Sequence, residues 1–272
     1  MKMKIYLVYI IGCLAIAFSC NKKNDYSNNV EVIKELTFNL SSSNENYVIS
    51  GAPTTAIFHL VVLADSSMRY DIKGDTAYPD RIVGAEIRLG DPVSEGGLLL
   101  NLPVRVYGTY ASGVLTGVAP SVIETLLNNN IDKYINVITD RAANGLVRGQ
   151  LNSDLVFSKN VPLTGTSVVP SVTTTTNGTT FLRLTSNNVL YSKVVVNNND
   201  PADPVATATI NQGAATANGA AILTLASSPQ EFGVGKKSTI SAAVNSALLS
   251  NSTYVTVNST LNPNGKLRGQ IR

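Results

Sequence analysis

Few side chains in this 272-residue sequence could carry chemistry. There is one histidine, His59, and there are two cysteines, Cys13 and Cys20. His59 lies in the apolar run "AIFHLVVLA" (56–64). A histidine satisfied within a core or at a strand edge is expected there, because a transition-metal site needs several imidazoles or thiolates together. A Ser-His-Asp triad would have to recruit the same histidine, and no Gly-x-Ser-x-Gly turn occurs. Glycine loops of the phosphate-cradling kind are absent. Asp and Glu are thinly scattered, so no carboxylate pair can be nominated for glycoside hydrolysis. "NNNDPADP" (197–204) offers oxygen ligands of the kind Ca²⁺ takes, but lacks the spacing of a calcium loop, and a turn between strands is expected. The sequence therefore nominates no catalytic residue, no metal ligand and no cofactor. An enzyme is not expected.

Cys20 suggests a different chemistry. Lys2 and Lys4 precede an uncharged apolar run from Ile5 to Phe18, which ends at "AFSC" (17–20). That run is too short to span a bilayer and suits the apolar region of a signal peptide over 1–19. A small residue, Ser19, directly before Cys20 resembles a bacterial lipobox, in which the cysteine is lipidated and becomes the first mature residue. Each buried CH₂ of an acyl chain adds ~0.8 kcal/mol of membrane affinity. The polar stretch "NKKNDYSNN" then reads as a flexible tether over 20–31. The expected location is the cell envelope, lipid-anchored, at the outer membrane on its periplasmic or its surface face. With Cys13 in the signal and Cys20 lipidated, no disulfide is available to the folded part. The formal charge of +3 and the lack of a basic stripe argue against nucleic acid as a partner.

The elements that would position any site occur twice. "YINVITDRAANGLVRGQL" (134–151) and "YVTVNSTLNPNGKLRGQI" (254–271) align at a spacing of 120 residues, Tyr134 on Tyr254 and Gly149 on Gly269. Upstream, Tyr70 aligns with Tyr191, Gly97 with Gly219 and Ile87 with Ile210, at spacings of 121 to 123. Two tandem domains follow, over 32–157 and 158–272, each of ordinary size.

Within each copy, short runs rich in bulky residues and bounded by polar turns predict strands. "SMRYDI" and "NVLYSKVVV" predict the second arms of hairpins. One short helix per copy is predicted. "APSVIETLLNN" (119–129) has Pro120 at its first turn and Val122, Ile123, Leu126 and Leu127 on one face. "STISAAVNSALLS" (238–250) repeats this with Ile240, Ala243, Val244, Ala247 and Leu248. Asn144-Gly145 and Asn264-Gly265 predict hairpin turns with positive φ. Gly149 and Gly269, inside strands, mark a bulge or a close backbone approach. Arg148 and Arg268 beside them are expected to be hydrogen-bond hubs closing the end of a sandwich, in preference to ligand-binding groups. The recurrence of Tyr70, Tyr134, Tyr191 and Tyr254 suggests core packing.

The Tyr-strand and Arg-Gly-Gln hairpins resemble the CHRD domain, named for chordin and common in bacterial secreted proteins and lipoproteins. Its opening "L-x-G-x-x-E-V-P" strand is matched by "LTGTSVVPSVTT" (163–174), with Val168 in place of the acid. In the first copy "LTFNLSSSNENYVISG" matches that opening poorly. The resemblance implies an all-β fold of two tandem immunoglobulin-like or superoxide-dismutase-like sandwiches. It implies no settled activity, although animal relatives bind growth factors. The histidines of the family's "A-H-I-H-x-G" core fall on Glu86 and Arg88, and on Thr209 and Asn211. That of the Tyr strand falls on Ile138 and Asn258. Any binding surface is expected around Glu86–Asp91 and Thr209–Gly213, making Glu86, Arg88, Asp91, Thr209 and Asn211 the candidate binding residues. The expected role is that of a lipid-anchored, non-enzymatic binding module with a protein or glycan partner. The alternatives are a glycan-binding lipoprotein in polysaccharide uptake and a hydrolase or oxidoreductase with an unrecognised site.

Overall fold

The protein is described by a computed structural model over residues 30–47, 49, 54–75 and 81–272. The signal segment, Cys20 and most of the tether lie outside these residues. Residues 31–272 form one compact unit.

In the first half, β1 (Val32–Ser41) leads through a 3₁₀ turn (Ser42–Asn44) to β2 (Thr55–Leu63) and β3 (Met68–Gly74). Then come β4 (Ile82–Leu89), β5 (Leu98–Leu102), β6 (Arg105–Tyr107) and β7 (Tyr110–Leu115). A helix, α1 (Pro120–Leu127), precedes β8 (Lys133–Thr139) and β9 (Val147–Gln150). The second half runs β10 (Leu155–Leu163), β11 (Asn177–Thr185), β12 (Val189–Asn197), β13 (Val205–Gln212) and β14 (Ala221–Ala226). It ends with β15 (Lys236–Thr239), α2 (Ala242–Ser250), β16 (Thr253–Ser259) and β17 (Leu267–Gln270). The boundary expected at 157/158 falls inside β10.

The fold is all-β and sandwich-like, with antiparallel pairing throughout. The first half orders its strands β5-β4-β8-β9-β1-β2-β3-β7-β6 in one continuous sheet. The join between β9 and β1 is a single pair, Ser41 opposite Arg148, where the sheet folds over on itself. The second half has β10-β11-β12-β15 and β14-β13-β16-β17, stitched by one bridge between Thr164 and Arg268. The two halves thus share one pairing order, apart from β6.

Alternation drives this layering. In β2, Ala56, Phe58, Leu60 and Val62 point inward while Ile57, His59 and Val61 point out, the two-residue period of a half-buried strand. Phe58, Leu60 and Ile72 meet Ala85, Ile87, Ile135 and Val137 from the opposite layer. Leu182, Leu184 and Val194 meet Ala208, Ile210, Val255 and Val257 in the second half. Each such buried Phe, Leu, Ile or Val stabilises the fold by roughly 1.5–3 kcal/mol.

Gly149 and Gly269 make the fold-over possible. A Cβ on Gly149 would lie 2.2 Å from Leu40 Cδ2 and 2.9 Å from the Asn39 carbonyl oxygen. One on Gly269 would lie 2.2 Å from the Pro162 carbonyl oxygen. Both are close approaches of one layer's backbone to the other, not bulges.

Several expectations shift by a residue or more. Helix α2 starts at Ala242, because Ser238 and Thr239 belong to β15, and Ile240 reaches the core from the connection. Residues 164–174 are turns and irregular chain rather than a strand. Leu60 pairs with Tyr70, and Leu182 with Ser192, so the counterpart of Tyr70 is Ser192. Tyr191 therefore faces outward, as a one-residue slip requires. Positive φ occurs at Gly145 and Gly265 but not at the preceding asparagines. These turns are longer than the two-residue type.

Candidate functional site

The Arg-Gly-Gln strands build one device twice. Arg148 and Arg268 are each 2% exposed. The Arg148 guanidinium carbon lies 3.4 Å from the Tyr134 ring centroid, and that of Arg268 lies 3.5 Å from Tyr254. From these stacked positions, Nη2 of Arg148 donates to the carbonyls of Asp91 (2.6 Å) and Ser94 (3.0 Å). Nη2 of Arg268 donates to those of Ala214 (2.6 Å) and Ala217 (3.0 Å). Gln150 and Gln270 donate to Gly90 and Gly213. The planar, always-charged guanidinium suits both the stacking and the forked donation. Burial pushes both arginines below their ordinary pKa.

What the arginines hold is the β4–β5 loop, residues 90–97, and its counterpart, 213–219. The candidate binding residues act on the same loops from β4 and β13. Arg88 Nε donates to the Gly96 carbonyl at 3.1 Å, and its Nη1 pairs with Glu86 at 2.7 Å. That hydrogen bond, foremost among the causes, raises the Arg88 pKa. Asn211 donates to the Gly219 carbonyl at 3.1 Å and accepts from Thr209 at 2.7 Å. An ion pair in one half thus stands where a hydroxyl–amide pair stands in the other. Asp91 accepts from the Val93 backbone N–H and the Ser94 hydroxyl, shaping the turn. Gly96, not Gly97, is the counterpart of Gly219. A Cβ at either would lie within 2 Å of the carbonyl oxygen of Leu89 or Gln212.

The two loops end in different surroundings. Loop 90–97 docks on the outer face of the second half's first layer. Val93 is fully buried against Phe181 and Tyr191. The segment after β1 docks beside it. Arg183 Nη2 donates to the Glu45 carbonyl at 2.7 Å, and Asn160 donates to those of Glu45 and Tyr47 at 3.0 Å. Ser158 donates to Asn44, which donates to the Arg148 carbonyl. The Glu45 carboxyl is enclosed here, 3% exposed. Desolvation raises its pKa to about 7 against the opposing pull of Arg148 and Arg183. Burial also lowers Arg183. Loop 213–219 is tied instead to its own half, where Asn218 donates to the Val169 carbonyl at 2.7 Å, and Thr216, the counterpart of Val93, is exposed.

Sequence reasoning missed this contact between the halves. One legible trace is that 36–51 departs from the family's opening, and this stretch contains the docking segment. A lone arginine in "TTFLRLTS" was a second signal.

The first half's outer face carries His59 and Arg69 where the second has Phe181 and Tyr191. His59 is satisfied there by Glu35 (2.7 Å) and Asp71 (3.2 Å). The Glu35 hydrogen bond, foremost, raises its pKa. Among the described residues no group of three His, Cys, Asp or Glu could hold a metal ion. In the second half, Asp203 accepts from Ser259, Asn262 and the Leu261 N–H and pairs with Lys266. Burial pushes the Asp203 carboxyl up, but these partners outweigh it and hold the pKa at about 2.

Neither the curated proteins nor the solved structures contain a match to the chain. Residues 159–271, which span the second half from β10 to β17, match the CHRD domain family.

Proposed function

We propose that the protein is a lipid-anchored, non-enzymatic interaction module of two CHRD-type units, held in the cell envelope through Cys20. One observation carries the interaction reading. The Arg-clamped loop 90–97 already serves as a docking element, seating Val93 on the second half. The equally clamped loop 213–219 stands exposed. Thr209, Asn211 and Arg268 are then the residues that present a binding loop, as Glu86, Arg88 and Arg148 present its docked counterpart. The shared pairing order of the two halves supports reading the first as a second CHRD-type unit. The "AFSC" signal supports the anchor at the outer membrane.

The test places a photo-cross-linking amino acid at Thr216 of the full chain in intact cells. A discrete product, lost when Asn211→Ala releases the loop, is expected. Its absence, with Cys20 lipidation intact by fatty-acid labelling, would remove the reading. Persistence of the label in Cys20→Ala would remove the anchor.

A further inference from the structure

The geometry points to a carbohydrate cleft on the outer face of β3, β7 and β6, shaped for an oligosaccharide that carries carboxylates. This inference rests on reading the chain as a binding module rather than an enzyme.

The β6–β7 hairpin has no counterpart in the second half, where a 3₁₀ turn (Pro229–Glu231) precedes β15. It carries two tyrosines opposite each other, Tyr107 and Tyr110. They are 64% and 39% exposed, whereas Tyr70, Tyr134, Tyr191 and Tyr254 are at most 3% exposed. Their ring centroids lie 6.5 Å apart with planes inclined by 34°. A cross-strand aromatic pair supports its hairpin by roughly 0.2–1 kcal/mol, and the exposed ring surface it leaves suits a recognition surface. A tyrosine ring offers an apolar face for the C–H side of a pyranose and a hydroxyl for its polar edge.

The rings line a cleft of about 790 Å³ together with Arg69, Arg105, Asp71 and His59. That volume suits a small oligosaccharide. Arg105 pairs with Ser112 and Ser112 with Asp71, so these groups form a row beside the tyrosines. Asp71 is already engaged by His59. Neither the Arg69 nor the Arg105 guanidinium donates a hydrogen bond to another described residue. Arg69 also attracts the Asp65 carboxylate, but two guanidiniums without a hydrogen-bond acceptor among the described residues, set beside an aromatic pair, select carboxylates, which they can hold through two parallel bonds. A neutral sugar would leave both charges unused.

The test is calorimetric titration of the full chain with tetragalacturonate and with uncharged cellotetraose, each sugar analysed afterwards by mass spectrometry. Saturable tetragalacturonate binding is expected, at least about tenfold tighter than cellotetraose and weakened about tenfold or more by Tyr107→Ala and by Arg105→Ala. Both variants sit on the surface and are expected to keep the wild-type melting temperature. No binding at millimolar sugar, equal binding of the two sugars, or binding that both variants retain would each overturn the cleft. A shortened sugar would instead overturn the non-enzymatic reading on which the proposal rests.

Discussion

Arg268 sits over the ring of Tyr254, its guanidinium carbon 3.5 Å from the centroid, and reaches from there to two backbone carbonyls, those of Ala214 and Ala217. The stack fixes the guanidinium plane, and the plane fixes the loop. Charge alone would not do this, because an ammonium has no plane to align.

Arg268→Lys is therefore expected to behave almost like Arg268→Ala. Each removes the forked donation to these two carbonyls and to the Asn218 amide oxygen, a loss of about 2 kcal/mol for an exposed loop. Urea unfolding of both variants checks this. A Lys variant within ~1 kcal/mol of wild type would show that charge, not planarity, holds the loop.

The two strand glycines should differ in cost. In Gly149→Ala the sharpest contact is with the end of the Leu40 side chain, which can rotate. In Gly269→Ala it is with the Pro162 carbonyl oxygen, which cannot. We expect about 1–2 kcal/mol lost at position 149 and about 3 kcal/mol or more at 269. Thermal melts that rank them in the opposite order would mean the layers separate more easily at Pro162 than the packing implies.

Glu45 should give stability an unusual pH dependence. Burial lifts its pKa from an ordinary 4.5 to about 7, with Arg148 and Arg183 pulling the other way and Glu95 adding a little. The folded state then binds this proton more tightly than the unfolded state. The contribution is fully present below pH 4.5 and is lost as pH rises through 7. The size is on the order of 3 kcal/mol between those limits. Glu45→Gln keeps the shape without the charge, so it should flatten this slope and raise stability at pH 8. Identical slopes for the two proteins in urea melts from pH 4 to pH 8 would show that the carboxylate is relieved within the fold.

Val93 couples the halves, and Val93→Lys should release them. A charge cannot stay between Phe181 and Tyr191 without a partner. Cleavage by trypsin between the halves is expected to accelerate, and unfolding, expected to be a single transition in the wild type, to split in two. A single unshifted transition would place the coupling in the Glu45 segment instead.

The alternating strands such as β2, both helices and the Arg-Gly-Gln hairpins were legible because local pattern decides them. Leu60 and Val62 face inward by alternation, and Asn-Gly marks the return. The slip at Tyr191 shows where pattern fails. Tyrosine aligned well by type, but pairing with Arg183 turned it outward, and only cross-strand register carries that information. The roles of Glu86 and Arg88 were illegible for a similar reason. They look like exposed charges in sequence, yet Arg88 is bonded to a carbonyl eight residues away. The Glu45 contact is more remote still, joining residues more than a hundred positions apart. The β6–β7 hairpin went unread because "RVYGTY" has too few residues to show a period.

The knob and socket that join the halves also count the units. At the free end of the second half Thr216 stands where Val93 stands in the first. On the open face of the first half, His59 and Arg69 replace Phe181 and Tyr191. A head-to-tail contact whose two ends still matched would let one chain add to the next and grow into a filament. Here Thr216 at one end and His59 and Arg69 at the other replace the apolar knob and socket, so the apolar contact that Val93 makes is not offered a second time.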